Sequence, residues 1–283
     1  MRLSHIPSAT ALALVLSLTS ACATARDHST VAQVDGRRIA YRVLGSGAPV
    51  VVMITGLGDD MTAFEDVATD LSRDATVIIY DRAGYGASTR AAGLRDAEAA
   101  DGDLSAVLAQ TGVRGPYIVL GHSLGGLFAE YYAARHPDQV AGLILEESRP
   151  ADFTRRCLAA GVKMCVAPAA MLTFAPDGAK SELAALPATA AEVEAIGPVR
   201  EKPVLVLSRP AGAKPSPFDL VWSADQDDLA ARYPGARHLI APPSGHYLHT
   251  DQKAWFVASV RTFIAETPGW GRAIRPLDGG QTP

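Results

Sequence analysis

Cysteine is scarce in this chain of 283 residues, with three in all, and no cluster of histidine or aspartate accompanies them, which argues against a metal site built on thiolates. A basic excess is also absent. Twenty-six Lys and Arg stand against 30 Asp and Glu, a formal charge of −4 with the signs mixed along the chain, so nothing resembles the electrostatic footprint of a nucleic-acid-binding protein. The apolar stretch near the N-terminus, Ala9 to Leu18, is too short to span a bilayer. Sustained heptads and internal repeats are missing as well. What these absences leave is a globular domain whose default partner is a small molecule.

The N-terminus opens with Arg2, continues through that apolar stretch and ends in small residues, the pattern of an export signal over residues 1–25. Two readings of its end are open. Leu18-Thr19-Ser20-Ala21-Cys22 resembles a bacterial lipobox, in which Cys22 would carry lipid and attach the protein to a membrane; Ala23-Thr24-Ala25 has the small-x-small form of ordinary cleavage after Ala25. Both place the domain outside the cytoplasm, in the periplasm or cell envelope. An oxidising compartment in turn favours a disulfide between Cys157 and Cys165 across a short loop. The roughly 260 residues that remain suit one domain better than two.

Along those residues strand and helix patterns alternate. Val31 to Val43, with Asp35-Gly36 as its turn, reads as a hairpin. Val50–Ile54, Ala75–Tyr80, Tyr117–Leu120, Val140–Leu145 and Pro203–Leu207 read as strands. Met61–Leu71, the stretch ending at Asp103–Gln110, Asp219–Tyr233 and Asp251–Ala265 read as helices. Such alternation implies an α/β fold with a mostly parallel central sheet, helices on both faces, and chemistry in the loops at the strand C-termini. An Ala-rich, Pro-punctuated insertion at about 149–202 interrupts the pattern and predicts a small cap of short helices over the site. The domain is expected over 30–266, with a poorly ordered tail at 267–283.

One segment carries chemistry. Tyr117-Ile118-Val119-Leu120 runs into Gly121-His122-Ser123-Leu124-Gly125, and Leu124, Leu127, Phe128, Tyr131 and Tyr132 follow at helical spacing. A G-x-S-x-G turn between a strand and a helix exposes its serine above a sheet, next to the free N–H groups of the helix start. Val50 to Gly58 and Asp81-Arg82-Ala83-Gly84-Tyr85-Gly86-Ala87-Ser88 lie upstream, and Gly245-His246 follows the apolar run His238–Ala241. Taken together, these segments resemble the α/β-hydrolase fold family, its serine esterases in particular, over roughly residues 30 to 266. The chain departs from the family at Thr55, where many members have histidine, and after Leu207.

The resemblance implies a serine hydrolase that cleaves a carboxylic ester or related acyl compound through an acyl-enzyme, without a cofactor. Ser123 would be the nucleophile and His246 its base, with His249 in reserve; His122 is expected to support the turn rather than react. The family's usual acid position, after Val204–Leu207, is occupied by Ser208-Arg209-Pro210-Ala211-Gly212. Glu147, in the Glu146-Glu147 pair after Val140–Leu145, is therefore the expected acid, with Asp219 and Asp225 as rivals. Backbone N–H groups of Leu57 and Leu124 would form the oxyanion hole. Asp81, Arg82, Gly84 and Gly86 are assigned to loop architecture. Two other readings stay open: a ligand-binding protein on the same fold with little turnover, and a haloperoxidase-like perhydrolase using the same triad.

Overall fold

Short runs of β-branched residues bounded by turn signals become eight strands in a computed structural model that describes residues 29–163, 165–166 and 173–268. They are β1 (Thr30–Val34), β2 (Arg37–Leu44), β3 (Val50–Ile54), β4 (Thr76–Tyr80), β5 (Tyr117–His122), β6 (Val140–Glu146), β7 (Val204–Ser208) and β8 (Arg237–Ile240). The sheet order is β1-β2-β4-β3-β5-β6-β7-β8. β1 and β2 form an antiparallel hairpin, β2 pairs antiparallel with β4, and every later pairing is parallel. The hairpin turns on Asp35 (φ 50°) and Gly36 (φ 74°), the left-handed pair that matches the twist of its strands.

Every residue of β3, β4, β5 and β7 is buried, as expected of strands covered on both faces. Val50, Val52 and Ile54 face one apolar cluster with Leu104, Leu127 and Leu229. Val51 and Met53 face the other, with Phe64, Phe256 and Val260. The period-two alternation of the strand thus divides the core into two layers. Helices α2 (Ala97–Thr111), α3 (Leu124–Arg135) and α6 (Pro217–Ala231) cover the first face, and α1 (Glu65–Leu71) and α8 (Lys253–Glu266) the second.

Helix bounds depart from the sequence reading for local reasons. Met61–Phe64 is a 3₁₀ turn, its start capped by Asp60, before α1 takes over. α2 begins at Ala97 because the Asp96 side chain accepts from Ala99 N; the Ala- and Asp-rich first turns gave no apolar rhythm to read. The closing helix is preceded by a separate single turn, α7 (Leu248–Asp251).

The insertion lies between β6 and β7 and carries α4 (Phe153–Ala159) and α5 (Asp177–Ile196). The expectation of short helices is corrected for α5, which runs for 20 residues and contains Pro187. Its length has a packing cause: it lies along α2 and α3, and Ala185, Leu186 and Val193 are buried there. Cys157 and Cys165 are joined as a disulfide with Cα atoms 5.7 Å apart, against Phe153 and Trp222. Residues 1–25 with Cys22, and 269–283, lie outside the described residues. Among the described residues no helix is long and apolar enough to cross a membrane.

Cys157 and Cys165 are eight positions apart, so the chain-entropy relation for a loop of that size gives a stabilisation of about 2.5 kcal/mol. Replacing both cysteines with serine is expected to lower the urea midpoint accordingly, with any change in slope upward because the unfolded chain loosens. An unchanged midpoint would mean that the crosslink contributes nothing to the fold.

Candidate active site

Ser123 occupies the turn between β5 and α3 with φ 53° and ψ −120°, a backbone region costly for a residue with a side chain and kept only where the surroundings over-determine it. Its amide donates to Glu146 O, and its carbonyl accepts from Gly126 N and Arg149 N, all at 3.0 Å. The flanking glycines are required by contact. A Cβ on Gly121 would stand 2.4 Å from Gly125 O, and one on Gly125 would stand 2.4 Å from the carbonyl oxygens of Ile54 and Thr55.

Glu147 follows β6, also at positive φ (43°), and its amide donates to Leu207 O at 2.7 Å. The side chain is fully buried. His246 Nδ1 lies 3.1 Å from Glu147 Oε2, Trp222 Nε1 donates to the same oxygen at 2.8 Å, and Arg209 N donates to Oε1 at 2.8 Å. The Arg209 guanidinium adds a contact at 3.3 Å. Neither rival acid reaches His246. Asp219 caps α6 through Ser216 and pairs with Arg209 at 2.7 Å; hydrogen bonds from Ser216 and Arg209 hold its carboxyl down to about 2. Asp225 is ion-paired with Arg156 Nε at 2.8 Å, without the alignment of a good hydrogen bond. Burial pushes it up to about 6.

The other two histidines lie beneath. His249 Nδ1 is 2.8 and 2.9 Å from the two oxygens of Glu146, which also accepts from His249 N. Burial would raise the Glu146 carboxyl, but His249 outweighs it and holds it below the usual range. Burial pushes His122 down to about 3, so its ring is neutral and its Nε2–H donates to His246 O at 2.9 Å. His122 thus fixes the loop that carries His246. Among the described residues His122, Glu146 and His249 place one metal-type donor each within 4.8 Å of one another, but Glu146 and His249 engage each other and His122 engages the backbone.

Ser123 and His246 line one cavity of about 290 Å³. No hydrogen bond joins them here, and such contacts commonly tighten only when substrate is bound. Leu57, Phe153, Leu183, Leu186, Phe218 and Trp222 supply an apolar wall. Leu124 also lines it and is the first residue of α3, where helix N–H groups have no intrahelical acceptor. The Thr55–Leu57 loop is held from behind. Arg82, buried, donates to Thr55 O (2.7 Å), Gly56 O (2.8 Å) and both oxygens of Glu182 in α5 (2.6 and 3.0 Å). Asp81 accepts from Met61 N and Ala87 N, so the D-R-x-G-x-G segment serves architecture. The contacts of Trp222, Arg209 and Glu182 were not legible in the sequence; each meets its partner across 62 to 100 residues, where no local pattern signals it.

A family model for the α/β-hydrolase fold matches residues 49–164. A putative carbamate hydrolase of Cronobacter sakazakii is 37% identical over 136 residues, 46% of this chain and 50% of that protein. A pimeloyl-[acyl-carrier protein] methyl ester esterase of Chromobacterium violaceum is 39% identical over 107 residues, 38% of this chain and 39% of that protein. The chain thus spans half or less of these curated relatives. A solved thermophilic esterase from Thermogutta terrifontis superposes with a TM-score of 0.65 at 22% identity, over 84% of this chain and 98% of that one, a likeness of fold. With the eight-stranded sheet, the elbow turn and the family model over residues 49–164 in agreement, the chain has the α/β-hydrolase fold.

Proposed function

We propose that this protein is an exported serine hydrolase that cleaves a carboxylic ester or related acyl compound. The observation that carries the reading is the contact of buried Glu147 with His246, which shares a cavity with the strained Ser123. Ser123 Oγ attacks the acyl carbon while His246 takes its proton. Glu147 holds the imidazole with Nδ1 protonated and stabilises the imidazolium. The N–H groups of Leu57 and Leu124 stabilise the tetrahedral oxyanion. His246 then returns the proton to the departing alcohol, leaving the acyl group on Ser123, and water activated by His246 releases the acid. Export rests on the N-terminal pattern around Arg2 to Ala25, with attachment through Cys22 or release after Ala25.

Rapid labelling of Ser123 by a fluorophosphonate and turnover of p-nitrophenyl esters of graded chain length test the reading. Inertness to both would favour a binding role. Ser123→Ala and His246→Ala are each expected to lower kcat by about 10,000-fold or more, with the double variant barely worse, because groups acting as a unit are not additive. Near-normal turnover by His246→Ala would remove it as the base.

The acid is tested by ranking. Glu147→Gln keeps the shape and loses the charge, so kcat should fall by about 1,000- to 10,000-fold with little change in binding. Asp219→Asn and Asp225→Asn should stay within about tenfold of wild type, roughly 1.4 kcal/mol in barrier. Glu146→Gln should act mainly on stability. Greater sensitivity at Asp219 or Asp225 than at Glu147 would place the acid after β7.

A further inference from the structure

Two arginines line the apolar cavity above Ser123, and their charges are balanced differently. Arg209 is compensated: its guanidinium contacts Glu147 Oε2 at 3.3 Å and Asp219 Oδ1 at 2.7 Å. Arg149 is not. Its Nη2 donates to Thr154 Oγ1 and Cys165 O, and its guanidinium lies 4.6 Å over the Phe153 ring. All three partners are neutral, and Nε and Nη1 donate to no described residue. Of the nearby acids, Glu147 is taken up by His246, Trp222 and Arg209, and Asp225 by Arg156.

We propose that Arg149 forms an anion subsite in this cavity and that the substrate is an ester or related acyl compound bearing a carboxylate. The inference rests on the serine hydrolase reading and narrows its substrate class. A guanidinium withdrawn from water without a counter-charge is costly, and an incoming carboxylate recovers much of that cost. The same desolvation pulls Arg149 down to about 10, with Asp225 only partly opposing it. Position supports the assignment. Arg149 N donates to the carbonyl of Ser123, so the cation is anchored beside the nucleophile. Its outer end is held by the carbonyl of Cys165, which the disulfide fixes to α4. The Nε and Nη1 protons, which no described residue accepts, remain as charge-assisted donors for an incoming carboxylate. A neutral apolar ester could use the same wall, but it would leave the charge unmet.

Hydrolysis of monomethyl adipate against dimethyl adipate, and of 3-butyryloxypropanoate against its methyl ester, tests the two sides of the scissile bond. In wild type the charged member of at least one pair is expected to have the higher kcat/KM. Arg149→Gln should lower kcat/KM for that charged ester by about 10- to 100-fold, the range of one charge-assisted hydrogen bond, mainly through KM. The loss on its neutral partner should be far smaller, and Arg149→Lys should restore part of the preference. Equal losses on both partners would show an arginine that only braces the cap and would overturn the proposal, as would a wild-type preference for both neutral esters. Calorimetric titration of Ser123→Ala with adipate and 3-butyryloxypropanoate separates the two levels. If the wild-type serine is labelled by fluorophosphonate and neutral esters turn over while neither carboxylate binds, the subsite fails and the hydrolase reading stands. If the serine is inert and no ester turns over, the hydrolase reading fails, whereas Arg149-dependent binding of either carboxylate would still support the anion subsite.

Discussion

The hydrogen bonds between the C-terminal ends of β5 and β6 are the constraint on which the site depends. Ser123 N donates to Glu146 O, and Arg149 N donates back to Ser123 O. Ser123 is therefore tied to the short segment that also carries Glu146, Glu147 and Arg149. Positive φ at both Ser123 and Glu147 costs on the order of 1–3 kcal/mol each, and a strand pair buried on both faces can hold both residues there. A serine on a freer loop would relax, and its distance to the acid would no longer be set by the sheet.

Charge is distributed around this pair in layers. Glu182 meets Arg82 behind the Thr55–Leu57 loop, Glu146 meets His249 below His246, and Glu147 meets His246, Trp222 and Arg209 beside the cavity. Each of these carboxylates is almost fully buried and each has donors, as burial of charge demands. The two lower pairs position backbone: Arg82 holds the loop that would bind the oxyanion, and Glu146 with His249 holds the start of α7 under His246. Only the uppermost acid faces a histidine open to the cavity.

Much of this was readable in the sequence. The β-branched runs, the Asp35-Gly36 turn and the glycines around Ser123 each impose local geometry, and they identify the sheet and the elbow. The carboxylate that meets His246 was legible for a subtler reason: the position after Leu207 offers Arg209 and not a carboxylate, which turns attention to Glu147. The structure joins the two observations, since Arg209 donates to Glu147 through both its backbone and its guanidinium. What stayed hidden depends on distant partners. Nothing near Trp222 or Glu182 reveals an acid or an arginine 75 or 100 residues away, and the length of α5 follows from α2 and α3, not from its own Ala-rich pattern.

With the carboxylate that meets His246 at the end of β6, the end of β7 takes a different part. With a carboxylate after β7, the cavity wall at that point would be anionic or neutral. Here that position supplies a guanidinium that is already matched by Glu147 and Asp219, so it steadies Glu147 without adding net charge to the cavity. Arg149 then stands as the unmatched cation in a wall of Leu, Phe and Trp side chains. Apolar walls lower the local dielectric and lengthen the reach of a charge, so the Arg149 guanidinium is felt at Ser123 more strongly than it would be in water. The placement of Glu147 beside His246 and the polarity of the cavity are in this way two consequences of one arrangement of strand ends.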